Sequence, residues 1–258
     1  MNIVIIGSGN VATVLGGKMA EAGHSILQVI GRREEPAARL AAELGCRYST
    51  RWADIDPYAD LYLVALNDAA LEKLEWPLPG KLVVHTAGAI ARSVLSGVSE
   101  RNGVLYPLQS LRKEIRPFPE FPLLIDANRA EDLALIENLA RTIARQVERA
   151  DDNTRLKLHM AATLVNNFTN YLYTLAADYC AKENIHFSLL LPLIRETAQR
   201  LDSYAPKDVQ TGPAIRGDEV TIARHQNILD NYQDIKDLYG LFTNKIEQLY
   251  HPQEFPRS

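Results

Sequence analysis

The chain is predicted to form a doubly wound, mostly parallel α/β sheet followed by an all-helical domain. Three observations predict it. Short β-branched runs alternate with helix-spaced apolar segments up to about residue 150. A glycine-rich turn joins the first run to the first helical segment. Beyond Asp151 only helical patterns remain, so a domain spanning 1–150 and a second spanning 151–258 are expected, joined without a long linker.

Ile3 to Ile6 is a continuous β-branched run, the composition of a strand covered on both faces. Val11 to Ala22 follows with Val11, Val14, Leu15 and Met19 at helical spacing, and Gly23 ends it. Ile26 to Ile30 reads as a strand. Glu35 to Leu44 reads as a helix, with Pro36 in its first turn and Gly45 just past its end. Leu61 to Ala65, Leu82 to His85, Val104 to Tyr106 and Leu123 to Asp126 read as further strands, Ala130 to Ala144 as a helix, and Gln146 to Arg149 as a last short strand. Helices are then expected near 152–182, 187–203, 218–231 and 232–250. A loop over 205–217 is punctuated by Pro206, Gly212, Pro213 and Gly217.

Composition narrows the function. The chain is 47% hydrophobic and 23% charged, ordinary values for a globular protein. The balance of 28 Lys+Arg against 32 Asp+Glu leaves a net charge of -4, with no basic footprint for nucleic acid or an anionic membrane. Cys46 and Cys180 leave room for at most one disulfide and read as reduced thiols of a cytoplasmic protein. The opening MNIVIIGSGN has neither a basic n-region nor a small-residue cleavage site, so no signal peptide is expected. The uncharged stretch Leu158 to Ala177 is long enough to span a bilayer. Its His159, Thr163, Asn166, Asn167, Thr169, Asn170 and Thr174 predict a helix buried in protein instead. The six histidines form no metal-binding spacing, so no metal is expected, and neither G-x-S-x-G nor a P-loop lysine is present.

The turn Gly7-Ser8-Gly9-Asn10-Val11-Ala12 fits G-x-G-x-x-A between a strand and a helix, the context in which that motif binds a dinucleotide. Gly7 permits the tight turn, Gly9 lets a pyrophosphate approach the backbone, and Ala12 allows close helix–strand packing. The helix N-terminus offers unpaired N–H groups and partial positive charge to the phosphates. The next strand ends Ile30-Gly31-Arg32-Arg33-Glu34, with no carboxylate at the strand end where an NAD site holds its ribose hydroxyl. Arg32 and Arg33 suit a 2′-phosphate, so NADP is expected, with NAD possible through Glu34 or Glu35.

Ligands in such a sheet lie beyond the carboxyl ends of the strands. Three segments arrive there: Leu66-Asn67-Asp68, His85-Thr86-Ala87-Gly88-Ala89, and Tyr106-Pro107-Leu108-Gln109-Ser110. His85 transfers protons near neutrality, while Thr86 and the backbone at Gly88 suit a carbonyl or carboxylate. On the helix from 152, His159, Thr163, Asn166, Asn167 and Asn170 share an arc of roughly 100°. That stripe needs partners: substrate, cofactor amide or a second helix. Asp218, Thr221 and His225 share another helix face, with Asp218 also an N-cap, and Arg216 on the preceding loop is an anion-binding candidate.

Together the Gly7 loop, His85 to Ala89, Pro107-Leu108-Gln109-Ser110 and Gly212-Pro213-Ala214-Ile215-Arg216-Gly217-Asp218 with His225 resemble a bacterial family pairing a Rossmann-like domain with a helical domain of unknown function. Its members are often labelled deazaflavin-dependent (coenzyme F-420) NADP oxidoreductases. More distantly the layout is similar to pyrroline-5-carboxylate reductase, prephenate dehydrogenase and the 3-hydroxyacid dehydrogenases, with a helical domain like that of 6-phosphogluconate dehydrogenase. The resemblance implies hydride transfer to or from a C=O or C=N bond of a small, anionic substrate, and a homodimer formed through the helical domain. Gly7, Ser8, Gly9, Asn10, Val11, Gly31, Arg32, Arg33, Leu66, Asn67 and Thr86 are expected at the cofactor. His85 or His159 is the expected proton donor, beside Asn166. Gly88, Gln109, Asn167, Arg216, Asp218 and His225 are expected at the substrate. Where the 3-hydroxyacid enzymes carry a helical Lys this stripe has His159 and Thr163, and Tyr106 stands where prephenate dehydrogenases carry a His. These departures leave a non-catalytic NADP(H) sensor or scaffold as the alternative.

Overall fold

The structure, a computed structural model, describes residues 1–252. Eight strands form one sheet: β1 (Asn2–Ile6), β2 (Ser25–Ile30), β3 (Arg47–Ser49), β4 (Leu61–Val64), β5 (Leu82–His85), β6 (Arg101–Pro107), β7 (Leu123–Ala127) and β8 (Val147–Arg149). Their order is β3-β2-β1-β4-β5-β6-β7-β8, and every neighbouring pair is parallel except β6–β7. This is the doubly wound arrangement expected. The short edge strand β3 carries too little apolar pattern to be read in advance.

The β-branched runs work because side chains alternate across a sheet covered on both sides. Ile3 and Ile5 pack with Leu61, Leu63 and Val84 against α1 (Asn10–Glu21), α2 (Glu34–Leu44) and a later helix, Ala130–Ile143. Val4 and Ile6 pack on the other face with Tyr62, Val64 and Val83, beneath Leu71, Leu95 and Val98. Leu71 closes α3 (Asp68–Leu71), and the helix Ala130–Ile143 is α4. α2 ends as its glycine predicts: Gly45 is left-handed at φ 65°, and its N–H bonds the Ala42 carbonyl.

After β8 come α5 (Asp152–Ala162), a π-helical segment over Thr163–Phe168, α6 (Thr169–Lys182), α7 (Leu191–Gln199), α8 (Pro213–Arg216), α9 (Glu219–Ile228) and α10 (Gln233–Tyr250). The π segment corrects the uninterrupted α-helix expected over 152–182; its wider i→i+5 bonding shifts the angular position of Asn166 and Asn167. The chain divides into two compact units, Met1–Asn167 and residues 168 onward. α5 thus belongs with the sheet, although secondary structure changes to all-helical at 151. Among the described residues no helix is long and apolar enough to cross a membrane.

Gly103 in β6 tests the packing. A Cβ there would lie 2.5 Å from Ile136 Cδ1 and 2.6 Å from the Asp126 carbonyl oxygen. Gly103→Ala is expected to destabilise by about 1–3 kcal/mol in urea denaturation. Gly97→Ala, where a Cβ meets nothing within 4 Å, is expected to change little.

Candidate active site

Because β1, β4 and β5 are parallel neighbours, Gly7, Ala65 and Thr86 emerge at one edge of the sheet. β2 lies on one side of β1 and β4 on the other, so the crevice between β1 and β4 is the switch point where ligands bind. Gly7 turns the chain at φ 124°, a conformation closed to other residues, and its N–H bonds the Ile30 carbonyl at 2.8 Å. A Cβ on Gly7 would lie 2.3 Å from the Ala65 carbonyl oxygen. Gly9 caps α1 without a side-chain bond, and the first turn of α1 holds no acidic residue, so its N–H groups keep their positive potential. The space a Cβ on Gly9 would enter is open.

A cleft of about 770 Å³ follows this turn. Gly7, Ser8, Gly9, Gly31, Arg32 and Arg33 line one part, and Ala65, Leu66, Asn67 and Lys73 another. Arg32, Arg33 and Lys73 put three cations on the lining, with no carboxylate among its described residues. Glu34 is engaged elsewhere, accepting from the Tyr48 hydroxyl at 3.1 Å, and Glu35 lies 3.8 Å from Arg39. The glycine cradle, the bare helix terminus and the cation-rich rim therefore fit NADP(H). Asn67 also caps α3, its Oδ1 accepting from Ala70 N at 2.9 Å. Asn10 and Val11 do not line the cleft: Asn10 Oδ1 accepts from Lys113 N at 3.4 Å, and Val11 packs on the core. Thr86 is buried, with its N–H on the Val64 carbonyl.

His85 is fully buried, at 0% exposure, and lines neither this cleft nor the next. Its Nδ1 accepts from Ala87 N at 3.2 Å. Nε2 makes no hydrogen bond among the described residues, though the Ala91 carbonyl lies near enough to favour its proton. Burial, and then the Arg155 guanidinium, push its pKa down to about 4, so the ring is neutral at pH 7.

A second cleft of about 450 Å³ gathers the other candidates. Tyr106 lies one residue before the end of β6, and its hydroxyl lies 3.0 Å from His159 Nδ1 on α5. Gly88 makes this meeting possible: a Cβ on it would lie 2.6 Å from His159 Nδ1 and 2.7 Å from Tyr106 Cζ. Burial raises the Tyr106 pKa, with Arg155 opposing, so the phenol keeps its proton. Gln109, Ser110, Asn166 and Asn167 line the same cleft, and Ser110 Oγ donates to Asn166 Oδ1 at 2.8 Å. Thr163 bonds back to the His159 carbonyl at 3.1 Å. Sequence reasoning missed Tyr106 and Ser110 as site residues. The signal was present in the stretch after β6, but only the fold pairs it with a helix 53 residues on.

The remaining candidates lie in the helical unit and have local partners there. Asp218 caps α9, accepting from Thr221 N at 3.0 Å and Thr221 Oγ1 at 2.7 Å, which lowers its pKa. Arg216 stands 4.0 Å from Asp218, and His225 Nδ1 lies 2.9 Å from the Tyr239 hydroxyl. Among the described residues no group of His, Cys, Asp and Glu is placed to hold a metal.

Fold and cleft together define a dinucleotide-binding oxidoreductase. Residues 2–89 match the family of NADP oxidoreductases, coenzyme F420-dependent, and residues 121–246 match the domain of unknown function DUF2520. A Bacteroides fragilis crystal structure assigned as an NADP oxidoreductase is 40% identical at a TM-score of 0.87, covering 96% of this chain and 98% of the other. The chain belongs to this NADP oxidoreductase family, with NADP(H) as its cofactor. Two solved structures share the fold at lower identity. Pyrroline-5-carboxylate reductase from Streptococcus pyogenes is 16% identical at a TM-score of 0.65, over 96% of this chain and 98% of that one. A reductive aminase from Aspergillus terreus, solved with NADPH and ethyl levulinate, is 18% identical at 0.69, over 97% and 94%. No curated protein matches the sequence.

The buried imidazole of His85 carries a pH signature. Its folded pKa of about 4 lies below the ordinary 6.5, so between these values the unfolded chain binds more protons. The stabilisation is complete above pH 6.5 and is lost as pH falls toward 4. Denaturant titrations should show a loss of up to about 3 kcal/mol across that window, reduced in His85→Gln. A wild-type midpoint insensitive to pH there would rule it out.

Proposed function

We propose that the protein transfers hydride to or from a C=O or C=N bond of a small substrate held beside Tyr106, with His159 as the proton donor in the reductive direction. The Tyr106–His159 pair carries this reading. Gly7 to Gly9 would hold the pyrophosphate of NADPH and Arg32 and Arg33 its 2′-phosphate, and the nicotinamide would supply the hydride. Reduction builds negative charge on the substrate heteroatom, which a positioned proton relieves. His159 holds that proton on Nε2, because Nδ1 is engaged by Tyr106. When the charged ring gives its Nε2 proton to the substrate it is left as the neutral Nδ1–H tautomer, and Nδ1–H donates to the Tyr106 oxygen before and after the transfer, so the ring stays oriented.

Gln109, Ser110, Asn166 and Asn167 supply neutral hydrogen-bonding groups around the substrate, against an apolar wall of Leu108, Leu158 and Val165. No Lys or Arg is among the described residues lining this cleft. That lining favours a polar carbonyl or imine over the anionic substrate expected from Arg216. It also does not fit the anionic tail of a deazaflavin coenzyme. His85, buried and neutral, stays outside the chemistry.

The reading includes a homodimer formed through the helical unit. Among the described residues from 168 onward only Cys180, Ala214, Leu229 and Thr243 are buried, while Phe168, Leu189, Leu193, Leu241 and Phe242 are exposed. A unit so poor in core gains by covering that surface.

In a panel of carbonyl and imine compounds followed by NADPH absorbance, His159→Gln should lower kcat by about a hundredfold and Tyr106→Phe by about tenfold. NADPH affinity should hold in both and be lost in Gly9→Val. Wild-type turnover in His159→Gln would remove His159 from the mechanism. Light scattering at micromolar protein should give twice the chain mass; the mass of one chain would defeat the dimer.

A further inference from the structure

We propose that Trp76 and Lys73 build the adenosine end of the cofactor cleft, Trp76 as the stacking platform for the adenine ring and Lys73 as a third cation toward the 2′-phosphate. This rests on the assignment of NADP(H) to that cleft. Trp52 and Trp76 are the two tryptophans of the chain, and they stack with centroids 5.4 Å apart at 15°. Trp52 lies in a short helical turn after β3, and Trp76 in the segment after α3. Both line the cleft that holds Gly7, Gly9 and Arg32.

Trp76 has one indole face on Trp52 and yet remains 49% exposed. A large aromatic surface left half in water inside a ligand cleft is suited to a flat ligand, because a purine presents a π-face of matching size. Insertion between the two indoles would require parting rings already in contact, so the adenine is placed on the outer face of Trp76. Lys73, three residues earlier, lines the same cleft, while the neighbouring Glu72 and Glu75 do not. Lys73 therefore brings charge from the β4 side of the switch point to meet that of Arg32 and Arg33 from the β2 side. Discrimination between NADPH and NADH would thus be shared across the crevice, and the sequence after β2 would carry only part of it.

Because the chain has no other tryptophan, its intrinsic emission reports this platform directly. The probe is adenosine 2′,5′-bisphosphate, which has no nicotinamide to absorb the emission. It should change the emission of the wild type and of Trp52→Phe. In Trp76→Leu the change should disappear and calorimetric affinity should fall on the order of tenfold, while Trp76→Tyr, which keeps an aromatic face, should retain binding. Lys73→Gln should weaken NADPH on the order of tenfold and leave NADH unchanged. If the wild type binds NADPH but the probe leaves its emission unmoved and Trp76→Leu binds equally, the platform is overturned and the cofactor assignment stands. If folded wild type binds neither NADPH nor the probe, both are overturned.

Discussion

Gly7 and the Ala65 carbonyl occupy adjoining strand ends so closely that a single carbon between them would collide. The cofactor end of the molecule depends on that approach. β1 and β4 are buried on both faces, so the polar groups available to a ligand appear where the strands stop. A larger residue at position 7 would push β1 and β4 apart and turn the start of α1 away from the crevice. With glycine there, the bare N-terminus of α1 meets the rim of Arg32, Arg33 and Lys73, and electrostatics and shape select the same anionic ligand.

The end that holds Tyr106 and His159 depends on a different contact, between α5 and the segment that leaves β5. Asp152, Arg155 and His159 recur at helical spacing on one face of α5. Arg155 is buried, its Nη2 donating to the Ile90 carbonyl and to Asp152 at 2.7 Å. Its Nε and Nη1 make no hydrogen bond among the described residues. Such a cation is costly in a core unless its pairing repays the desolvation. Here it anchors the helix to Ile90 while, one turn on, His159 settles over Gly88. The same guanidinium discourages a proton on His85.

The two units differ in how completely they bury their apolar residues. The sheet encloses its β-branched strands in two cores, one on each face. The helical unit has apolar residues at helical spacing but leaves most of them in contact with solvent. Its polar candidates serve the unit itself, with Asp218 as a cap and His225 on Tyr239.

The strand–helix alternation, the glycine loop and the absence of a carboxylate after β2 were legible in the sequence because each is a local pattern with a local cause: two-sided burial, a positive φ and a missing charge. Nearly all the strands and the nucleotide end of the site follow from them. The π segment at Thr163–Phe168 was not legible, since helix-forming residues do not announce a change of hydrogen-bond register. Nor was the difference between His85 and His159. Both are histidines beside small or polar neighbours, yet burial silences one and a tyrosine 53 residues away orients the other. Trp52, Lys73 and Trp76 likewise had no shared motif until β3 and β4 came to lie on either side of β1 and β2. The sequence by itself determined which backbone turns and which charges are available. Only the tertiary structure decided which of them meet, because proximity across strands and desolvation are properties of packing and not of neighbours along the chain.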